Sequence, residues 1–171
     1  MAIAGGHLVE EPTRRRIASG TLTVIDRCHI GEPLAKLLTG IAARLSGEQA
    51  AMSILHGAVT SAARDQARLQ SVAGRHVHVV YFDTVLAAVD TLDDRAWDDL
   101  THGWVQLSRA AGALAALPLA LSFRSWLEVL QGRLGSAASH LAEIEDVVSL
   151  TRSRGLLGAP APALVLRDAW V

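Results

Sequence analysis

Two histidines separated by one residue, His76 and His78, are the side chains of this sequence best suited to bind a metal ion. On a strand they would project from one face and supply half of a zinc or copper site, whereas on a helix they would point to nearly opposite faces. Asp83 and His102 are possible further ligands, but no spacing brings them to the pair. Because the longer apolar pattern of this segment favours a helix, we predict no metal site.

The single cysteine, Cys28, is followed by His29, a residue type that can serve as the base for a nucleophilic thiol. Adjacent residues seldom have the geometry of a nucleophile and its base, so we interpret Cys28 as a thiol without a catalytic role. One cysteine can form neither an internal disulfide nor a four-cysteine zinc site, which favours a reducing, cytoplasmic location. The first residues lack the basic segment and apolar core of a signal peptide, so export is not expected.

Five aspartates lie close together in the middle of the sequence and could be mistaken for a cation site: Asp90, Asp93, Asp94, Asp98 and Asp99. Their spacing lacks the glycine and the distal glutamate of a calcium loop, and helix capping with a solvated helix face accounts for them. The sequence also contains no Gly-x-Ser-x-Gly, His-Glu-x-x-His or dinucleotide-binding glycine motif. We therefore predict no enzymatic activity, no cofactor and no catalytic or metal-binding residue.

The composition is that of a folded protein without a strong charge bias. Of the 171 residues, 50% are hydrophobic and 19% are charged, and 16 basic residues face 17 acidic ones. This balance gives no electrostatic reason to expect binding to nucleic acid or to an anionic membrane. The longest run without a charged residue or a histidine, residues 110–123, has 14 residues, and a membrane helix needs about 20. We predict no membrane segment.

Apolar spacing divides residues 1–74 into a lead-in and two helices. Residues 1–30 show no sustained period and, with Arg14, Arg15 and Arg16, read as a loosely ordered lead-in. Residues 31–74 predict two amphipathic helices, one from Pro33 to Gly47 and one from Met52 to about Gly74.

The segment 75–82 is ambiguous between strand and helix. Its β-branched and aromatic residues favour a strand locally. The apolar pattern continues to Asp93, however, which makes a segment of about 17 residues and favours a helix. We predict a helix.

Three further helices are predicted over 94–111, 114–131 and 134–154, and the last two form an antiparallel hairpin because their connection is short. Asp93 is the expected N-cap of the first helix, with Leu92 and Trp97 as a hydrophobic staple. The expected core residues of this helix are Trp97, Leu100, Trp104, Leu107 and Ala111.

The chain also matches itself. Trp104-Val105, Leu107, Arg109, Gly112 and Leu114 correspond to Val147-Val148, Leu150, Arg152, Gly155 and Leu157 at an offset of 43 residues. The preceding helices match at an offset of 41, pairing Phe82, Leu86, Ala96 and Leu100 with Phe123, Leu127, Ala137 and Leu141. A period of this length is typical of stacked helical pairs. We predict an all-α fold of antiparallel hairpins stacked as a tetratricopeptide-like α-solenoid, with 75–171 as a repeat region truncated at its C-terminus.

Four phrases in this region resemble a known family: DDRAWDDL (93–100), LSRAAGAL (107–114), LPLAL (117–121) and GRLGSAA (132–138). They look like the tetratricopeptide-like arm of large LuxR-type ATP-binding transcriptional regulators, the group similar to the maltose regulator. The resemblance implies an arm that receives a protein or effector signal. It covers residues 75–171, and residues 1–74 match poorly.

The chain departs from that family because it lacks the motifs of both the N-terminal ATPase and the C-terminal DNA-binding domain. There is no phosphate-binding Gly-x-x-x-x-Gly-Lys loop, the sole lysine Lys36 follows an alanine, and no DNA-reading helix follows the repeats. The resemblance therefore implies a fragment or short arm: a non-enzymatic interaction and regulatory module without ATPase or DNA-binding parts. The alternative is a small-ligand sensor with a mixed α/β N-terminal half, in which residues 30–74 join His76, His78 and Tyr81 in a pocket.

Exposed aromatic and apolar residues are the expected contacts for a protein partner or small effector. Trp126 lies at the flank of its apolar stripe. The last segment, Ala161–Val171, includes Leu166 and Trp170 and aligns with a helix that should have a following partner. We predict partner binding at Trp126, Leu166 and Trp170, and self-association through the C-terminal segment.

Overall fold

The structure of the chain, a computed structural model, describes residues 10–28, 30–151 and 168. Every regular element in these ranges is a helix and none is a strand, which confirms the predicted all-α fold. The chain divides into two compact units, Met1–Ala96 and Trp97–Val171. No helix within the described ranges combines the length and the apolar character that a membrane crossing requires.

Eight α-helices make up the described part of the chain. They are α1 (Glu11–Cys28), α2 (Glu32–Ser46), α3 (Ala51–Arg64), α4 (Gln66–Ala73), α5 (Val77–Asp90), α6 (Asp94–Ala110), α7 (Leu117–Leu130) and α8 (Leu134–Thr151), with one 3₁₀ turn at Gly74–His76.

Helix α1 occupies a segment that was predicted to be a loosely ordered lead-in. Pro12 lies in its first turn, where a missing N–H costs little, and Arg15 pairs with Glu11 one turn earlier. Among the side chains of α1 that the structure describes, Ala18 alone is buried, at 1% exposure, as α1 packs on α2. A helix that buries so few side chains shows no apolar period in its sequence. For this reason the sequence did not predict α1.

Residues 31–74 contain three helices, where two were predicted. The second predicted helix breaks at Asp65, whose backbone leaves the helical region (φ −126°, ψ 64°) and whose carboxylate accepts a hydrogen bond from the Arg68 N–H at 3.0 Å. An aspartate in this role caps a new helix. The apolar spacing continues from α3 into α4, since Val59 and Leu69 are both buried. The period therefore conceals the break.

Segment 75–82 is helical, as predicted, apart from the 3₁₀ turn at its start. Helix α5 buries Tyr81 and Val85 completely, and a strand at this place is excluded. The alternative prediction of a mixed α/β N-terminal half, which the small-ligand sensor required, is therefore wrong. The segment that would have supplied this half consists of the helices α2, α3 and α4.

The second unit contains α6 from Trp97 onward, α7 and α8. The predicted core of α6 is confirmed at Trp97, Leu100 and Trp104, which are 3%, 0% and 0% exposed. It is wrong at Ala111, which is exposed beyond the end of α6, and Leu107 is half-buried. Helices α7 and α8 form the predicted hairpin, joined through Gln131–Arg133, where Gly132 has φ 74°. Helix α7 begins at Leu117 instead of 114, because Pro118 fits its first turn. The predicted end of α8 at 154 lies outside the described residues.

The turn between α5 and α6 confirms one prediction and corrects another. Asp93 caps α6, since its Oδ1 accepts a hydrogen bond from the Ala96 N–H at 3.0 Å. The staple between Leu92 and Trp97 is wrong: Leu92 is 82% exposed and has φ 53°. Its backbone takes the left-handed conformation that closes a helix C-terminus, and this turns the side chain to solvent.

A unit of two consecutive helices joined by a short turn recurs along the chain. Helices α5 and α7 begin 40 residues apart, and so do α6 and α8. At the predicted offset of 41, Leu86 and Leu127 are both buried, as are Leu100 and Leu141. Of the six matches predicted at an offset of 43, three have their second member beyond Thr151, at Arg152, Gly155 and Leu157, outside the described residues.

Candidate functional site

A buried carboxylate lies between α7 and α8, close to the turn that joins them. Among the described residues, Glu128 is the only charged one in the buried class, with 2% exposure. Taking an unpaired carboxylate out of water costs several kcal/mol, so its partners decide whether the hairpin is stable.

Three side chains satisfy the Glu128 carboxylate. The Ser136 hydroxyl donates to Oε1 at 2.9 Å, His140 Nδ1 lies 2.9 Å from Oε2, and Arg124 Nε lies 3.5 Å from Oε1. Because a carboxylate only accepts hydrogen bonds, Nδ1 of His140 carries the proton in this contact.

A second carboxylate extends the network to α6. Asp98 Oδ1 lies 3.4 Å from Arg124 Nη1 and 3.3 Å from Arg133 Nη2, so one oxygen serves two guanidinium groups. We call the six residues Asp98, Arg124, Glu128, Arg133, Ser136 and His140 the Glu128 cluster. Its two carboxylates face two guanidinium groups, which balances the charge that the hairpin buries.

Helix periodicity and one turn bring the Glu128 cluster together. Arg124 and Glu128 are four residues apart on α7, and Ser136 and His140 are four apart on α8, so each pair shares a helix face. Between them, the Arg133 N–H donates to the Glu128 carbonyl at 2.8 Å and closes α7 at Gly132. This turn folds α8 back so that the two faces meet.

The order of contacts in the Glu128 cluster does not suit nucleophilic catalysis. In a serine-based site the imidazole lies between the hydroxyl and the carboxylate and takes the proton of the nucleophile. Here the Glu128 carboxylate lies between the Ser136 hydroxyl and the His140 imidazole, and Ser136 donates a hydrogen bond to Glu128. The geometry instead suits a polar hub that holds α7 and α8 in one register.

An aromatic cluster lies between α6 and α7 and includes Trp126, the predicted partner-binding residue. Trp126 meets Trp97 edge to face, with ring centroids 5.2 Å apart and planes at 83°. The Trp97 indole N–H donates to the Phe123 carbonyl at 3.1 Å. Trp126 is half-buried, and one turn later Leu130 is 55% exposed. Leu166 and Trp170, the other two predicted contacts, lie outside the described residues.

The first unit holds its own buried polar group at Tyr81. The Tyr81 hydroxyl donates to Gln66 Oε1 at 2.8 Å and accepts from Gln70 Nε2 at 2.9 Å, which ties α5 to α4. Burial raises the pKa of Tyr81, and the hydrogen bond from Gln70 lowers it by less. Burial likewise raises the pKa of Asp83, which is half-buried on the same helix.

The possible metal ligands belong to different helical elements. His76 is exposed in the 3₁₀ turn, His78 is half-buried in α5 and His102 is exposed on α6. Within the described residues, no three or more His, Cys, Asp or Glu side chains gather as a metal ion would require. His29 and the side chain of Cys28 lie outside the description.

The clustered aspartates mostly serve as caps and ion-pair partners. Asp90 Oδ2 lies 3.5 Å from Arg44 Nε, and Asp98 belongs to the Glu128 cluster. Besides capping α6, Asp93 accepts from the Thr60 hydroxyl at 3.3 Å and lies 3.5 Å from His56 Nδ1. Asp93 therefore also ties the turn between α5 and α6 to α3.

Reasoning from the sequence missed the Glu128 cluster. A signal was present: Glu128 falls among apolar residues of α7, and Arg124 one turn before it is a ready partner. The pair alone does not reveal the site, because Ser136 and His140, which complete it, come from the next helix.

Comparison of the chain with known protein families, curated proteins and solved structures finds no match. The likeness to the arm of LuxR-type regulators therefore stays a prediction from the sequence.

Proposed function

We propose that this chain is a non-enzymatic helical-repeat module that binds a protein partner or a small effector, similar to the signal-receiving arm of LuxR-type transcriptional regulators. The observation that carries this function is the recurrence of a helix-turn-helix unit in an all-α chain, with equivalent helices beginning 40 residues apart. Helical repeats commonly act through extended surfaces that successive units build together. A cytoplasmic role in transcription regulation, without the ATPase or DNA-binding parts of that family, is part of the same proposal.

Three polar groups in the described residues make their contacts within the fold, which supports a binding role over catalysis. The Glu128 carboxylate is occupied by three side chains and the Tyr81 hydroxyl by two glutamines. Lys36, the sole lysine, pairs with Glu32 at 2.7 Å on the exposed side of α2. This contact is the largest reason why the pKa of Glu32 is lowered. Each of these groups stabilises a helix or joins two of them.

Two surfaces are candidates for partner contact. The first is the end of α7, where the half-buried Trp126 is followed one turn later by the exposed Leu130. The second is the C-terminal segment with Leu166 and Trp170, which follows an α8 whose last described turn exposes 83% of Leu150. We propose that this segment also mediates association between copies of this chain, since apolar side chains lower their free energy by leaving water.

Titrations with Mg-ATP and with duplex DNA test the non-enzymatic part of this function. The four tryptophans report binding through their fluorescence, and released phosphate reports hydrolysis. We expect no saturable fluorescence change and no phosphate release. Tight nucleotide binding or sequence-specific DNA binding by the isolated chain would contradict the proposed function.

A further inference from the structure

No further inference is drawn: the strongest candidate, the exposed Leu92 side chain held at positive φ in the turn between α5 and α6, is an unpartnered apolar position, and nothing in the structure shows what covers it.

Discussion

The carboxylate of Glu128 is held by partners from its own helix and from the next one. Ser136 and His140 reach it from α8, while Arg124 reaches it from one turn earlier on α7. Losing one partner of a buried charge costs more than the lost hydrogen bond, because the charge stays behind without compensation. The hairpin should therefore be more sensitive to these polar partners than to exposed polar residues on the same helices.

Replacing His140 by alanine tests this sensitivity. We expect His140→Ala to lower the free energy of unfolding by about 1–3 kcal/mol, since Glu128 would lose a hydrogen bond while remaining buried. The matched control is His102→Ala, an exposed histidine on α6, which should change stability by less than about 0.5 kcal/mol. Urea unfolding of both variants provides the measurement, and equal effects would show that Glu128 does not depend on His140.

Tyr81 gives a second prediction, because it is the only tyrosine in the chain and its ionisation can be followed without ambiguity. Burial raises its pKa in the folded state above the ordinary 10.0. Between the unfolded and the folded pKa, the unfolded chain has lost a proton that the folded chain keeps. The contribution of Tyr81 is therefore present below pH 10.0 and is lost as the pH rises through the folded pKa.

The measurement is an ultraviolet absorbance titration of tyrosinate in the native chain and in urea. The midpoint should lie higher in the native chain than in the unfolded one, and the melting temperature should fall over the same alkaline range. A native midpoint at or below the unfolded one would contradict the burial of this hydroxyl.

At the scale of the helices, pattern and capping predicted most of α6. The stripe containing Trp97 and Trp104 and the cap at Asp93 are local features, and the structure has both. Two of the errors occurred at helix ends, which depend on the backbone of one or two residues and not on the apolar period. Asp65 begins a new helix inside an unbroken apolar pattern, and Leu92 takes a left-handed conformation that usually favours glycine.

The contact between α2 and α3 provides a prediction at this scale. A Cβ atom added at Gly40 would lie 3.0 Å from the Leu55 Cα and 3.1 Å from its backbone nitrogen, and backbone atoms cannot turn aside as a side chain can. We expect Gly40→Ala to destabilise the fold by about 1–3 kcal/mol, because overpacking exceeds the gain in helix propensity.

Gly57, on α3, is the matched control for this substitution. An added Cβ there would meet nothing within 4 Å, so Gly57→Ala should stabilise the helix by about 0.5–1 kcal/mol. Thermal unfolding of the two variants should give shifts of opposite sign. Two stabilising shifts would mean that α2 and α3 do not approach closely at Gly40.

For the whole molecule, the sequence predicted the fold class better than it predicted the site. An all-α chain with recurring helical pairs follows from periodicity and glycine turns, which are properties of neighbouring residues. The Glu128 cluster depends on four segments whose side chains meet only after α7 and α8 pair. Spacing within one helix does not predict contacts between two helices, even though Arg124 and Glu128 on α7, and Ser136 and His140 on α8, are each four residues apart.

Association between copies of the chain is the central expectation of the proposed binding function. Light scattering across a concentration series, on the full chain, tests it most directly. We predict a molar mass above that of the monomer that rises with concentration, because association follows mass action. The double variant Leu166→Ser and Trp170→Ser should return the chain to a monomer with an unchanged circular dichroism spectrum, whereas Leu130→Ser, the control on α7, should still associate. A wild-type chain that stays a single monomeric species up to tens of micromolar would contradict the account.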